Sequence, residues 1–568
     1  MGVAQFYVWY SKNFGQFTKR IKKNEKVEVH IDNFIIDMNG LIHTAAQMIY
    51  KYGNYKTQKS LLKVGKRKKN LDRDVFQMVG KLIENLVDIT CPKKRIILCI
   101  DGVAPKSKQK QQRERRYNNM KSSEDCDFDT SKITPGTIFM NNLSKYIDWF
   151  LRTKISYFDN WKNLEIIFSN EKVPGEGEQL VYKYIRETGN KTESYCIHGL
   201  DADILMLSFI TDVENFYVLR DELYDRNIDY NFLHIGKART SLTEKLNWES
   251  EKYNFNKKMA VKDFIYFCYM IGNDFLPHLP GIEIQIDGIN IMIEIYKDVC
   301  SEHGHLLYNY IGDVKFKKDV LKKFFIKISE LEYSMLQSKV NQSSKFFKDD
   351  ILENSCQYVD GKFVLDLQKY KKSYYETNFK NDNEQSSEIN IKKLCKEYLD
   401  GLQWVLSYYT KDVPCWSWKF PYYYAPFASD LIEFCDDYKF KKFENTQPSP
   451  PFIQLLSVLS PKSKDLIPDP INNLLNSNSP ISQFYPLDFK IDLRGKKYEW
   501  QGINLLPIID DELLIQQYEN LKDSIHARDK KRNITGKIFK YYFNNETKLF
   551  KSYYGDFYSN CKTEFFEF

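Results

Sequence analysis

Within the first 300 residues, strand-length apolar runs end on a carboxylate or a few residues short of one. "NFII" meets Asp37, "RIILCI" meets Asp101, "YCIHGL" meets Asp201 and Asp203, and "NLEIIFSN" leads into "VPGEGEQL" with Glu176 and Glu178. Runs of this kind separated by helical stretches predict an α/β domain around a central, mostly parallel sheet flanked by helices. In such sheets ligands bind outside the carboxyl ends of the strands, so these acids gather at one crevice. The expected organisation is a domain over 1–300, a helical and loop connector over 301–392, a second ordered, aromatic-rich helical block over 393–545, and a tail over 546–568. Within the connector, "NQSSKFFKDD" and "KNDNEQSSE" read as exposed loops. The aromatic and charged residues after about Tyr541 show no clear period.

Asp274, in "IGNDFLPHLPGI", joins the set as a seventh acid. Taken singly, Asp37 or Asp274 reads equally well as a helix cap, and Glu178 as a solvated first-turn charge. Taken together, the D-x-D and E-x-E pairs on different elements favour convergence. Seven carboxylates in one crevice repel and raise one another's pKa unless a multivalent cation is present. An all-oxygen set without His or Cys at ligand spacing suits Mg2+ or Mn2+ and argues against zinc. Two ions about 3.5 to 4 Å apart fit phosphodiester hydrolysis.

Directly after Asp101 comes "GVAPKSKQKQQRERRY". Pro105 suits the first turn of a helix. Lys108, Gln112, Arg115 and Arg116 then fall at i, i+4, i+7 and i+8, one face of that helix. A solvated basic helix is the plain reading of the stretch alone. Beside the acids, the same face makes a binding site for a phosphate other than the one being cut.

Composition narrows the setting. A formal charge of +7, from 83 bases against 76 acids, is a weak argument for nucleic acid. The 11 cysteines lack a CxxC pair, which with no leader pattern predicts a reducing, cytoplasmic setting. No apolar run approaches the roughly 18 to 20 residues of a membrane span.

The stretches "MGVAQFYVWYS", "DMNGLIH", "DGVAPKSKQKQQRERRY", "FDTSKITPGTIFM", "VPGEGEQLVYKYIR", "GLDADILML" and "IGNDFLPHLP" resemble the first region of the XRN family of 5′→3′ exoribonucleases. "LCKEYLDGLQWVL", "CWSWKFPYYYAPFASDL", "SQFYPLDFKIDLRGKKYEWQGINLLPIIDDELL" and "RNITGK" resemble its second. The likeness runs in order from Met1 to about Lys537. It implies a PIN/flap-nuclease-like core and a monomeric, processive nuclease acting on single-stranded RNA with a 5′-monophosphate. It also implies that the seven acids hold two Mg2+ ions and that Lys108, Gln112, Arg115 and Arg116 grip the terminal phosphate. By the same likeness His43 stacks on the terminal base, and Trp416 or Trp418 narrows the entrance.

The chain departs from the family pattern in ending the basic helix near Met120, in lacking a CCHC zinc knuckle, and in stopping soon after the second region, as a compact viral form would. A flap-type DNA nuclease shares the carboxylate cage, but there the "IGNDFLPHLPGI" stretch leads to a glycine-rich clamp that this sequence lacks. The non-enzyme alternative is an RNA-binding scaffold with a dead site, which the full set of acids disfavours.

Overall fold

The computed structural model describes residues 3, 5–55, 71–121, 127–222, 225, 228–282, 287–342, 349–379, 390–496 and 498–567. Most of the "NQSSKFFKDD" loop and all of "KNDNEQSSE" lie outside them.

A nine-stranded sheet organises the molecule. In chain order its strands are β1 (Thr18–Lys22), β2 (Asn33–Asp37), β3 (Arg95–Cys99), β4 (Glu165–Ser169), β5 (Tyr195–His198), β6 (Phe216–Asp221), β7 (Ile228–His234), β8 (Ile538–Phe550) and β9 (Phe557–Phe566). The spatial order is β1-β7-β6-β5-β2-β3-β4-β8-β9. The five central strands are parallel, with in-register pairs such as Ile35↔Ile97 and Ile35↔Ile197. Antiparallel strands close both sides.

Burial on both faces explains the continuous apolar runs. Ile35, Ile97, Ile167 and Ile197 point into one core, whereas Phe34, Ile36, Ile96, Leu98, Ile166 and Phe168 point into the other. The helices named below are α1 (Met38–Tyr50), α2 (Leu71–Thr90), α3 (Lys106–Lys121), α4 (Ile138–Tyr157), α5 (Gly177–Glu187), α6 (Ala202–Ile210), α7 (Lys257–Cys268), α8 (Lys318–Gln342), α9 (Ile391–Thr410) and α10 (Pro451–Val458). Helix α1 follows β2 directly, α6 starts within a few residues of the end of β5, and α3 and α5 follow β3 and β4 after short turns. Among the described residues, no helix is long and apolar enough to cross a membrane.

The stretch 301–392, expected as a helical and loop connector, buries Phe324, Phe325 and Ile328 of α8 in the same core as α9 and the sheet. Residues 557–566 are not a tail. They form β9, which with β8 makes a hairpin whose Phe539, Lys540 and Tyr541 pair with Phe168, Ile167 and Ile166 of β4. The aromatic block of α9 packs against the sheet as expected, with Tyr398, Leu402, Trp404 and Tyr408 all buried.

Candidate active site

Six of the seven acids sit at the carboxyl ends of the parallel strands, or on the turns and helix starts that follow. Asp37 is the last residue of β2, Asp101 follows β3, and Asp201 and Asp203 follow β5. Glu176 and Glu178 reach the same place because the 173–177 turn is tied to the end of β3. Gly102 N–H donates to Gly175 O at 2.9 Å, Gly175 N–H donates to Val103 O at 2.9 Å, and Gly177 N–H donates to Asp101 Oδ1 at 2.7 Å. A Cβ on Gly102 would lie 1.6 Å from the Val173 carbonyl oxygen. Only glycine permits that approach.

Oxygens of Asp37, Glu178 and Asp201 lie within 4.8 Å of one another. Burial, and then neighbouring carboxylates, push Asp37 and Glu178 well above the usual carboxylate range. Burial followed by Glu176 raises Asp101 to about 6, and burial followed by Asp274 raises Asp203 to about 7. The cluster holds more negative charge than the protein itself neutralises, and its donors are all oxygen. That combination fits hard divalent cations. Glu176 and Asp201 stand at the N-cap positions of α5 and α6 without capping them.

The supports of the acids were not read from sequence. Asn39 donates to Asp101 Oδ2 at 2.7 Å, Tyr409 O–H donates to Asp203 Oδ1 at 2.5 Å, and Tyr408 O–H donates to Glu176 Oε2. Asn39 was within reach of sequence reasoning, two residues past Asp37. The tyrosines sit about 200 residues away from their acids, on a helix whose pattern signals only burial.

Helix α3 carries cations on two opposite faces. Lys106, Lys110, Arg113 and Lys121 turn toward the second block: Lys106 Nζ meets Asp511 Oδ1 at 2.7 Å, and Lys110, Arg113 and Lys121 each donate at 2.6 Å to the carbonyls of Tyr422, Pro507 and Phe489. The other face holds the four predicted residues, but they divide. Lys108, expected on the terminal phosphate, places its buried ammonium 2.6 Å from Glu176 Oε1 and 2.7 Å from Asp274 Oδ2. The field of the buried acids draws it inward. Gln112 accepts from buried Gln454, whose own oxygen takes the Ala104 N–H at 2.8 Å. Arg116 donates to Thr134 Oγ1 at 2.7 Å and to the Gln112 carbonyl at 3.0 Å, yet its buried Nε–H has no partner among the described residues. Burial and then adjacent Arg115 push its guanidinium down to about 9. Arg115 itself is exposed. A guanidinium pair with no direct carboxylate partner among the described residues has the chemistry to take an anion.

His43, on α1, is half-buried; burial and then Arg115 and Arg116 hold its imidazole down to about 4, so the ring is neutral at physiological pH. The two tryptophans separate. Trp418 is a core residue, 7% exposed and stacked on Trp404 with ring centroids 5.2 Å apart. Trp416 is half-buried, and its carbonyl accepts the Lys106 N–H at 2.9 Å, which ties it to the first turn of α3.

Family models match two consecutive parts of the chain: "XRN 5'-3' exonuclease N-terminus" over residues 1–222 and "Xrn1 helical domain" over 252–364 and 353–566. Human "5'-3' exoribonuclease 1" is 28% identical over 97% of this chain and 36% of its own length. The Saccharomyces cerevisiae protein of the same name is 27% identical over 99% of this chain and 46% of its own. The Drosophila melanogaster "5'-3' exoribonuclease 2 homolog" is 26% identical over 97% of this chain and 74% of its own. The chain thus spans less than half the length of the human and yeast relatives. Among solved structures, the catalytic core of Rad2 in complex with DNA substrate matches with a TM-score of 0.32 and 13% identity, covering 76% of this chain and 99% of that one. With both of its family domains in order along one sequence, the chain belongs to the XRN family.

Proposed function

We propose that this chain is a 5′→3′ exoribonuclease that degrades single-stranded, 5′-monophosphorylated RNA to nucleoside 5′-monophosphates. The observation that carries the reading is the buried carboxylate cluster standing beside an exposed and a half-partnered arginine on α3. Asp37, Asp101, Glu176, Glu178, Asp201, Asp203 and Asp274 are the residues that would hold two Mg2+ or Mn2+ ions. Such ions supply water activation and neutralise charge on the leaving oxygen.

The chain's own residues do the rest. Arg115 and Arg116 present planar forks to the terminal phosphate, and Gln112 adds an amide to the same pocket. A pocket closed around one phosphate fixes the scissile bond one nucleotide away and excludes a cap or triphosphate by size. Lys108 balances Glu176 and Asp274 instead of touching the RNA end. Asn39 and the Gly177 N–H orient Asp101, while Tyr408 and Tyr409 orient Glu176 and Asp203. The neutral ring of His43 gives the terminal base a stacking face without adding charge, and Trp416 narrows the entrance.

The test compares matched RNAs carrying 5′-monophosphate, 5′-hydroxyl and 5′-triphosphate ends with a DNA flap substrate, in Mg2+ and in EDTA. The expected result is Mg2+-dependent loss of the monophosphate RNA alone, abolished in Asp203→Ala with RNA binding kept within a few fold. Equal rates across the 5′ ends would refute the phosphate pocket, and preferential flap cleavage would refute the substrate class. For His43, stacking contributes about 1 to 3 kcal/mol per base. In a single turnover with trap RNA, His43→Ala should release a ladder of partly shortened products where the parent runs to mononucleotides. A fully processive variant that loses only stability makes His43 a core residue.

A further inference from the structure

The carboxylates occupy the N-terminal ends of α5 and α6; a second cavity, of about 390 Å3, lies at the C-terminal ends of the same two helices. Its rim carries Arg186, Lys191, Arg239, Lys257, Lys258 and Lys262 against a single lining carboxylate, Asp212. Asp212 is shared between Lys258 and Lys191. The arginines donate to neutral oxygens only, Arg239 to the carbonyls of Thr211 and Val213 and Arg186 to that of Lys411. Those bonds fix the guanidinium groups in place; the carboxylates that act on them, Asp412 and Glu187 on Arg186 and Asp212 and Glu214 on Arg239, form no direct ion pair with them among the described residues. Lys262 Nζ reaches an amide oxygen of Asn309 at 3.5 Å, and Lys257 has no side-chain partner among the described residues. The nearby carboxylate of Asp412 is engaged by Lys183 at 2.6 Å. Burial holds Arg186, Arg239 and Lys262 below their ordinary pKa values, so these cations are kept at a cost that a bound anion relieves.

Beneath the cationic rim the floor is apolar. Leu207, Phe209 and Val261 are buried there, beside the rings of Tyr182 and Tyr409. An apolar floor under a ring of cations is the recognition chemistry of a base joined to several phosphates, and the volume lies in the range of small-molecule pockets.

We propose that this cavity binds a nucleotide carrying two or more phosphates, with the phosphates on the Arg186, Arg239, Lys257 and Lys262 rim and the base on the Leu207, Phe209 and Val261 floor. Occupancy is positioned to reach the acid cluster, because Tyr409 lines the cavity while its hydroxyl donates to Asp203. The site depends on charge and shape alone and stands whether or not the chain degrades RNA.

The test is calorimetric titration of ADP, adenosine and tripolyphosphate in EDTA, so that no metal recruits nucleotide to the carboxylates. ADP should bind the parent and Arg115→Ala equally, since Arg115 lies at the other site. The rim variant Lys257→Ala/Lys262→Ala should lose at least tenfold in affinity. Both lysines lie on the rim, and unchanged circular dichroism checks the fold; Lys257→Glu alone, on the exposed side chain, should also lose at least tenfold. Adenosine should bind at least 100-fold more weakly than ADP, and tripolyphosphate at least fivefold more weakly. Absent ADP binding, a loss caused by Arg115→Ala, or undiminished binding in both rim variants overturns the site. Tripolyphosphate binding as tightly as ADP overturns the seat for the base.

Discussion

Glu114 shows how a single side chain on α3 differs from its neighbours. It lies between the two cationic faces, its carboxyl turned into the cavity lined by Lys110 and Tyr423. Burial first of all lifts it from the ordinary glutamate range to about 7, against the pull of Lys110 and Arg113. A carboxyl whose folded pKa is raised binds its proton more tightly in the native state. Its contribution is therefore fully present below the unfolded value and is lost as pH rises from about 4.5 to about 7. Glu114→Gln removes the penalty for ionising in place. Its stability relative to the parent should be near zero at pH 4.5 and grow to about 2 kcal/mol by pH 7.5, partial exposure allowed for. Beyond that the difference should level off. Urea unfolding of both proteins across that range checks it; a difference flat with pH would mean that the carboxyl is solvated.

At the scale of elements, α3 is one helix with two tasks, and the tasks separate by mutation. Arg113 donates to the Pro507 and Phe484 carbonyls from a buried position, holding the second block to the first. Hydrogen bonds from a charged donor contribute about 1.5 to 3 kcal/mol each, so Arg113→Ala should cost about 3 kcal/mol or more. Exposed Arg115 makes no such bond among the described residues. Arg115→Ala should leave stability within about 0.5 kcal/mol, yet shrink the preference for 5′-monophosphate over 5′-hydroxyl RNA by about 10- to 100-fold. Denaturation midpoints and competitive degradation, run on both variants, should give opposite patterns. Equal stability losses would assign both arginines to packing. The same helix shows where sequence is legible. The i, i+4, i+7, i+8 spacing located the second face correctly because helical periodicity is a local property. It could not tell that Lys108 turns to Glu176 and Asp274, because that depends on a field assembled from acids up to 166 residues away.

Across the whole molecule, what was legible followed the same division. Apolar runs ending on acids placed four of the five parallel strands, since burial on both faces and strand-end geometry are written residue by residue. The fifth parallel strand β6, the antiparallel strands β1 and β7 and the closing hairpin were not read, since they are defined by pairing across the chain. The hairpin is the clearest case. Its β8 meets β4 about 370 residues away by chain, and its strands mix aromatic, polar and charged residues without a clear period, which resembles surface as much as sheet. The hairpin nevertheless seals both cores at that edge. Ile538 is buried in one and Tyr541 in the other, with the Tyr541 hydroxyl on Asp148 Oδ1 at 2.9 Å. The turn is strapped to α4, Trp149 Nε1 donating to the Gly555 carbonyl and the Tyr554 hydroxyl to that of Asn142. Removing residues 538–568 would strip the pairing partner from β4 and leave an apolar edge open to other chains. Losing Ile538 and Tyr541 alone costs about 3 to 6 kcal/mol at about 1.5 to 3 per large side chain, before any ladder bond is counted. The truncated chain should therefore aggregate or unfold at markedly lower denaturant than the parent, and lose activity although every proposed site residue is intact. Co-expressing residues 538–568 as a separate segment should recover part of the soluble protein if strand pairing is the cause. A truncated protein that stays monomeric in light scattering, with the parent's midpoint, would show that the sheet closes at β4 without it.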